Sequence, residues 1–273
     1  MQKNISIAYL GEPYSYHFLA AQKYFGRENE FISCNTFDKI IETVKKHISY
    51  FGIIAIDNTL AGAVHGNLKR VIESNLFVVG EIYFHINLHL AALNDISVED
   101  VKTIYSHKMA IKESSVFLQK YPFIKLIETS STAGGIKKIM DEKLELAAAI
   151  GNKDAIQHYG LQYVAQNIDD HINNYTRFFI LSPFATTAKQ TTFTTPKASI
   201  VLQPEYIEHA EKIIKEHQTK VLYSEKLEIQ EKKFIYLETV SSNKKHTDDV
   251  NFILQRKSNA TKVLGVYEKG SID

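Results

Sequence analysis

The stretch NNYTRFFIL, residues 173–181, places two amides, a hydroxyl and a guanidinium immediately before an apolar run that reads as a buried strand. An amide donates and accepts hydrogen bonds, a threonine hydroxyl donates one without adding charge, and an arginine fork matches a carboxylate bidentately. Held on a rigid strand end, Asn174, Thr176 and Arg177 face a small polar or anionic ligand. On a surface loop that merely feeds a strand, they carry no chemistry. These residues alone leave both readings open.

Similar polar clusters recur upstream. Strand-like runs at 5–10, 51–56, 103–105, 124–127 and 146–150 end in GEPYSY, DNTLAG, SHK, ETSSTAGG and GNKDAIQHYG, and helical patterns follow. Strand followed by helix, repeated, is the signature of parallel α/β architecture. In such sheets ligands bind where strands give way to helices, because helix amino termini present unpaired N–H groups there. Helix capping uses the same residue types. Five clusters without a GxGxxG loop point to a small polar or anionic ligand rather than a dinucleotide.

The run GEIYFHINLHLAAL, 80–93, alternates: Ile82, Phe84, Ile86, Leu88 and Leu90 share one face and Glu81, Tyr83, His85, Asn87 and His89 the other. It is long for one strand and is expected to cross between two lobes. His85 and His89, four apart on a strand, lie roughly 13 Å from each other, too far to share a metal ion. TTAKQTTFTTP, 186–196, is a threonine-rich linker ending in proline. Beyond it the pattern reads as a βαββαβ unit.

The 273 residues suffice for two domains, with 44% apolar and 23% charged side chains and no run of about 18 apolar residues. A formal net charge of +1, from 32 basic and 31 acidic residues, argues against nucleic acid or an anionic membrane as partner. The single cysteine, Cys34, excludes an internal disulfide and fits a reducing compartment. The start lacks a basic segment followed by an apolar stretch and a cleavage site, so a cytoplasmic protein is expected.

With these motifs in hand, the chain resembles the prephenate dehydratase family followed by a degenerate ACT domain. NYTRFFIL resembles the family's N-x-T-R-F signature, AIDNTLAGAV its E-N-S/T-x-x-G-x-V, and YSH at 105–107 its S-H-P helix opening. GEIYF, STAGG and AAAIGNKDAIQHYGL follow in the family's order. The resemblance implies a two-lobed, periplasmic-binding-protein-like α/β catalytic domain over 1–185, with lobe 1 at 1–79 plus 170–185 and lobe 2 at 80–169. It also implies an ACT-like α+β domain over 197–273 and assembly as a homodimer or homotetramer. The implied substrate is prephenate, the product phenylpyruvate, and no cofactor or metal takes part. Thr176, Asn58 and Ser106 become the expected catalytic residues. Arg177, Thr59, Glu113, Asp57, Phe178, Asn174, Ser15 and Thr132 become the expected substrate-binding residues, with Arg177 clamping a carboxylate. Ser131 is a further candidate at a helix start.

Four positions depart from the family pattern. A second glycine usual near Tyr14 is absent, Asp57 replaces glutamate, Lys108 replaces proline, and Glu113 replaces a substrate-binding glutamine. An ionised Glu113 would repel a dianion, so it is expected to be partly neutralised by burial or by pairing with Lys108, Lys112 or Arg177. The family's G-A-L and E-S-R-P segments are also missing, so feedback by phenylalanine is expected to be weakened or lost. Arogenate dehydratase and a catalytically impaired regulatory paralogue are the alternatives, and an amino-terminal mutase fusion is not expected.

Overall fold

The computed structural model describes residues 5–64, 66–185, 193–257 and 261–272. β1 (Ser6–Leu10), α1 (Tyr16–Phe25), β2 (Glu30–Cys34), α2 (Phe37–Lys45), β3 (Phe51–Asn58), β4 (Gly62–Ala63), α3 (Asn67–Ser74) and β5 (Phe77–His85) come first. The chain then enters a second sheet through β6 (His89–Ala92), β7 (Thr103–Ser106), α4 (Lys108–Glu113), α5 (Ser115–Leu118), β8 (Lys125–Glu128), α6 (Thr132–Asp141), β9 (Ala147–Gly151), α7 (Lys153–Tyr159) and β10 (Gln162–Ala165). It returns to the first sheet as β11 (Tyr175–Ser182). The strand orders are β2-β1-β3-β11-β5 and β10-β6-β9-β7-β8, so two crossings join two α/β lobes, the periplasmic-binding-protein-like class expected. The alternating stretch does make the first crossing. However, β5 stays in the first sheet through His85, so 80–85 belongs to lobe 1 rather than lobe 2.

Sheet and helices form for local reasons. β1 and β3 are buried on both faces, which explains why Ile53, Ile54, Ala55 and Ile56 form a continuous apolar run. Ser15 caps α1 by accepting from Phe18 N, Thr36 caps α2, Ser131 caps α6 and Asn152 caps α7. Each such cap stabilises its helix by about 1 kcal/mol. Capping therefore accounts for several of the polar clusters that pointed to a ligand.

The remaining elements are β12 (Pro196–Leu202), α8 (Ile207–Glu216), β13 (Lys220–Ile229), β14 (Lys232–Val240), α9 (Lys244–Lys257) and β15 (Thr261–Glu268). They make an antiparallel sheet ordered β13-β14-β12-β15, a βαββαβ unit. Of the expected linker, 186–192 lie outside the described residues and Pro196 already begins β12. One face of this sheet packs with α8 and α9. The other face buries Val201, Ile229, Tyr236, Leu264 and Tyr267 against Ile54, Val78 and Phe179 of lobe 1. Gly265 permits this docking, since a Cβ there would stand 1.8 Å from the Val78 carbonyl oxygen. No helix among the described residues is long and apolar enough to cross a membrane.

Candidate active site

The site begins with the pairing of β3 and β11. Thr176 lies opposite Asn58 and Arg177 opposite Asp57, and the register then shifts so that Phe178 lies opposite Ala55. Ile56 is thus an extra residue, a β-bulge. Before the bulge, Ile53 and Ala55 face the α1 side while Ile54 and Ile56 face the carboxy-terminal sheet. Strict alternation would turn Asn58 toward that sheet as well. The bulge reverses the order, so Asn58 joins Thr176 on the α1 side while Asp57 and Arg177 take the opposite face.

On the α1 side the polar groups form one directed chain. Asn58 Oδ1 accepts from the backbone N–H groups of Leu60 and Ala61, both at 2.8 Å, which fixes its amide orientation. Its Nδ2 therefore donates, to Asn174 Oδ1 at 2.7 Å and to Thr176 Oγ1 at 3.1 Å. Asn174 then donates through Nδ2 to Glu113 Oε2 at 3.0 Å, linking the end of α4 in lobe 2 to the residue that precedes β11. Because Thr176 Oγ1 is already an acceptor, its own O–H is free to point at a third atom, and among the described residues no protein group takes that proton. The arrangement is a neutral hydroxyl donor, oriented from behind, where the two lobes meet.

The structure brings Thr176, Asn58, Asn174 and Glu113 together and assigns the other expected residues elsewhere. Thr59 lies beside the network, but its hydroxyl donates to Asn173 O and accepts from Tyr175 N, stapling a loop to β11. Ser106 is fully buried and donates to Ile150 O at 2.8 Å, tying β7 to β9, so it is a structural residue and not a catalytic one. Ser15 donates to Leu10 O while capping α1. Thr132 is buried in the first turn of α6, behind the Ser131 cap. Phe178 does not line a binding surface: it is packed in the lobe 1 core with its ring edge against His17 at 4.9 Å. A Cβ on Gly11 would come within 3.7 Å of both Ser15 and Ser131, so these two caps face each other across the lobes.

Arg177 requires the largest correction. It is no carboxylate clamp for a ligand in the cleft, because its guanidinium points through the sheet toward the carboxy-terminal unit. Nη1 donates to Glu238 Oε1 and Oε2 at 2.7 and 2.8 Å, and Nε donates to Asp57 Oδ2 at 2.8 Å. Lys197 Nζ adds contacts to Glu81 at 2.9 Å and Glu238 at 2.7 Å. The side chains of Arg177, Glu81, Lys197 and Glu238 are at most 7% exposed. Burial alone would lower the Arg177 pKa, but Glu238, Asp57 and Glu81 outweigh it and hold the group above its ordinary value. Burial likewise opposes ionisation of Glu238, yet Arg177 and Lys197 bring its pKa below the usual carboxylate range. Asp57 belongs to this cluster and not to a substrate site.

The Glu113 carboxyl is held above its ordinary pKa, chiefly by burial. Burial raises its pKa, the Asn174 hydrogen bond lowers it, Asp169 raises it again and Lys112 lowers it, with a net upward shift. Its hydrogen-bond partner is Asn174, not the cations proposed for it. The folded pKa lies above the unfolded one, so the group favours the fold most below its ordinary value and loses that contribution as pH rises through the folded value. Glu113→Gln should therefore gain thermal stability relative to wild type as pH rises from 4 to 8, measured by Tm at each pH. A Tm difference independent of pH would contradict this.

Sequence reasoning missed two contributors, His17 and Asp170, and the conformation of a position it had marked, Tyr14. His17 sits against β3, with Nε2 accepting from Ala55 N at 3.4 Å, and burial, helped by His107, depresses its pKa to about 3, so it is neutral. Asp170 accepts from Ser115 N, Ser115 Oγ and Val116 N, fixing the segment that carries Glu113, and the IDD run at 168–170 was the available signal. Tyr14, where the family's glycine is missing, adopts φ 64°. That left-handed conformation costs roughly 1–2 kcal/mol for a residue with a Cβ. Stacking on His158 at 4.0 Å and the Asn152 hydrogen bond to its carbonyl offset the cost, and both tie lobe 1 to lobe 2.

The two α/β lobes place the chain in the periplasmic-binding-protein-like fold class, and comparison with known proteins narrows it. The prephenate dehydratase family model matches residues 7–185, and the chain belongs to that family. A bifunctional chorismate mutase/prephenate dehydratase of Aquifex aeolicus is 33% identical over 183 residues, 67% of this chain and 50% of the relative. Arogenate dehydratase/prephenate dehydratase 2 of Arabidopsis thaliana is 32% identical over 65% of this chain and 45% of its own length. The chain thus spans about half the length of these relatives. The structure of Arthrobacter aurescens prephenate dehydratase in complex with L-Phe superposes with a TM-score of 0.86 over 97% of this chain and 90% of that one, at 20% identity, which shows a shared fold.

Proposed function

We propose that the chain catalyses the decarboxylating dehydration of prephenate to phenylpyruvate. The observation that carries this reading is the Thr176 hydroxyl, oriented by Asn58 and with its proton uncommitted. In the reaction the bond to the ring carboxylate breaks to release CO2, its electron pair enters the ring, and the ring C–O bond breaks. The departing hydroxide takes up a proton and leaves as water, and aromatisation drives the step. A threonine hydroxyl is too weak an acid to protonate hydroxide fully in advance, so Thr176 acts by hydrogen bonding to the oxygen as negative charge develops on it. The neutral donors around it add no charge that would repel a dianion. Incubation with prephenate, followed by phenylpyruvate absorbance, tests the reading, and a folded protein that forms no phenylpyruvate would refute it.

Glu113 favours a second reading. A carboxylate next to the network attracts an ammonium, and arogenate carries one where prephenate carries a keto group. Side-by-side kcat/KM values for wild type and Glu113→Gln separate the two. If prephenate is the substrate, the variant should be roughly fivefold better at pH 8, equivalent to about 1 kcal/mol of relieved repulsion. If arogenate is the substrate, the variant should be worse.

We further propose that 1–185 is the catalytic domain and that the unit beginning with β12 at Pro196 is an ACT-like assembly element in a cytoplasmic homodimer or homotetramer. The βαββαβ strand order supports the ACT-like reading. Light scattering that shows a monomer at working concentration would remove the assembly part.

A further inference from the structure

The buried ion cluster stands on the rung of the sheet next to the candidate catalytic pair. Thr176 and Asn58 lie on the α1 side, where the two lobes meet, and the next rung of the same two strands, Arg177 opposite Asp57, faces the carboxy-terminal unit. Arg177 binds Asp57 on its own sheet and both oxygens of Glu238 on β14. Glu238 is in turn held by Lys197 Nζ at 2.7 Å and by the Tyr236 hydroxyl at 2.8 Å, so each of its oxygens has two donors. Lys197 reaches back to Glu81 of β5, whose other oxygen accepts from Gly270 N at 2.9 Å. The cluster therefore grips β11 from behind and from both neighbouring strands.

We propose that Glu238 and Lys197 are positioning residues for the reaction: they lock Arg177, and through it the β3–β11 rung, so that the Thr176 hydroxyl and the Asn58 amide keep their catalytic geometry. This rests on the dehydratase reading given above. The physical reason is rigidity. Adjacent residues of one strand share a peptide plane, and the bulge at Ile56 interrupts the β3–β11 ladder directly beside the rung, while β5 pairs with β11 in unbroken register across it. The ion cluster adds a side-chain anchor to a rung that adjoins a bulge, and the carboxy-terminal unit supplies Glu238 and Lys197 to it almost completely shielded from water. The unit then serves the chemistry even with no ligand bound to it.

The test compares full-length Glu238→Gln with Val201→Ala. Val201 is buried in the same apolar contact with lobe 1 but lies outside the ion cluster. Tyr236→Phe, which removes one donor to Glu238 without changing charge, is a milder variant should Glu238→Gln fail to fold. All are assayed with prephenate at a temperature where circular dichroism shows them fully folded. Active wild type establishes the dehydratase reading independently. Glu238→Gln is expected to lose kcat by roughly ten- to a hundredfold with KM within about twofold, the pattern of a misplaced catalytic group. Tyr236→Phe should lose less, and Val201→Ala should lower Tm while keeping kcat. Active wild type with unchanged kcat in Glu238→Gln and Tyr236→Phe overturns the proposal. So does an equal loss of kcat in Val201→Ala, which would indicate general loosening of the interface.

Discussion

Thr176→Ala should lower kcat by about 100- to 1,000-fold with little change in KM or Tm, the usual consequence of removing one preorganised donor from a developing oxyanion. The expectation follows from the direction of the hydrogen bonds. Two backbone N–H groups fix Asn58, Asn58 donates to Thr176, and the Thr176 hydroxyl is left as a donor where the two lobes meet. The side chain is only half-buried, so its loss opens no core cavity. Thr176→Ser, which keeps the hydroxyl, should retain most of the activity, whereas Thr176→Val, which keeps the shape, should not. Single-turnover measurements with prephenate separate this from slow product release. A Thr176→Ala enzyme within threefold of wild type would falsify the role.

Arg177→Met should act on stability before it acts on binding. Breaking a buried ion network by removing one partner costs about 3–5 kcal/mol, because the opposite charges stay buried without compensation. Here Asp57, Glu81 and Glu238 would be left with Lys197 as their only cation in the cluster. At about 2–4 °C per kcal/mol for chains approaching this size, Tm should fall by roughly 10 °C. Arg177→Met/Glu238→Leu should recover at least half of that loss, since Lys197 then balances Glu81 and the 32% exposed Asp57 side chain can hydrate. A substrate clamp would behave in the opposite way, with KM rising sharply at unchanged Tm. Thermal scans and Michaelis profiles on the same preparations decide between these outcomes.

Much of the architecture was legible because it is written in short-range patterns. Alternating apolar residues, polar caps at strand ends and a long crossing strand require only neighbours in the chain, and they led to two α/β lobes and a βαββαβ unit. The ordered family motifs led to Thr176 and Asn58. The same short range limited the reading of individual side chains. Ser15 fits a helix cap and a ligand donor equally well, and only its hydrogen bonds to Leu10 and Phe18 show which it is. Ser106 likewise could not be separated from a site residue until Ile150, 44 positions away, proved to be its acceptor.

The sequence by itself determined which residue types stand at the end of β3 and the start of β11, and that one hydroxyl and one guanidinium are adjacent there. Which of the two faces the cleft was decided only by the tertiary structure. A single extra residue at Ile56 reverses the alternation of β3, and the carboxy-terminal sheet supplies Glu238 and Lys197 from far along the chain. Side-chain direction in a strand depends on register, and register is fixed by long-range pairing and by where buried charges find partners, neither of which is contained in local spacing.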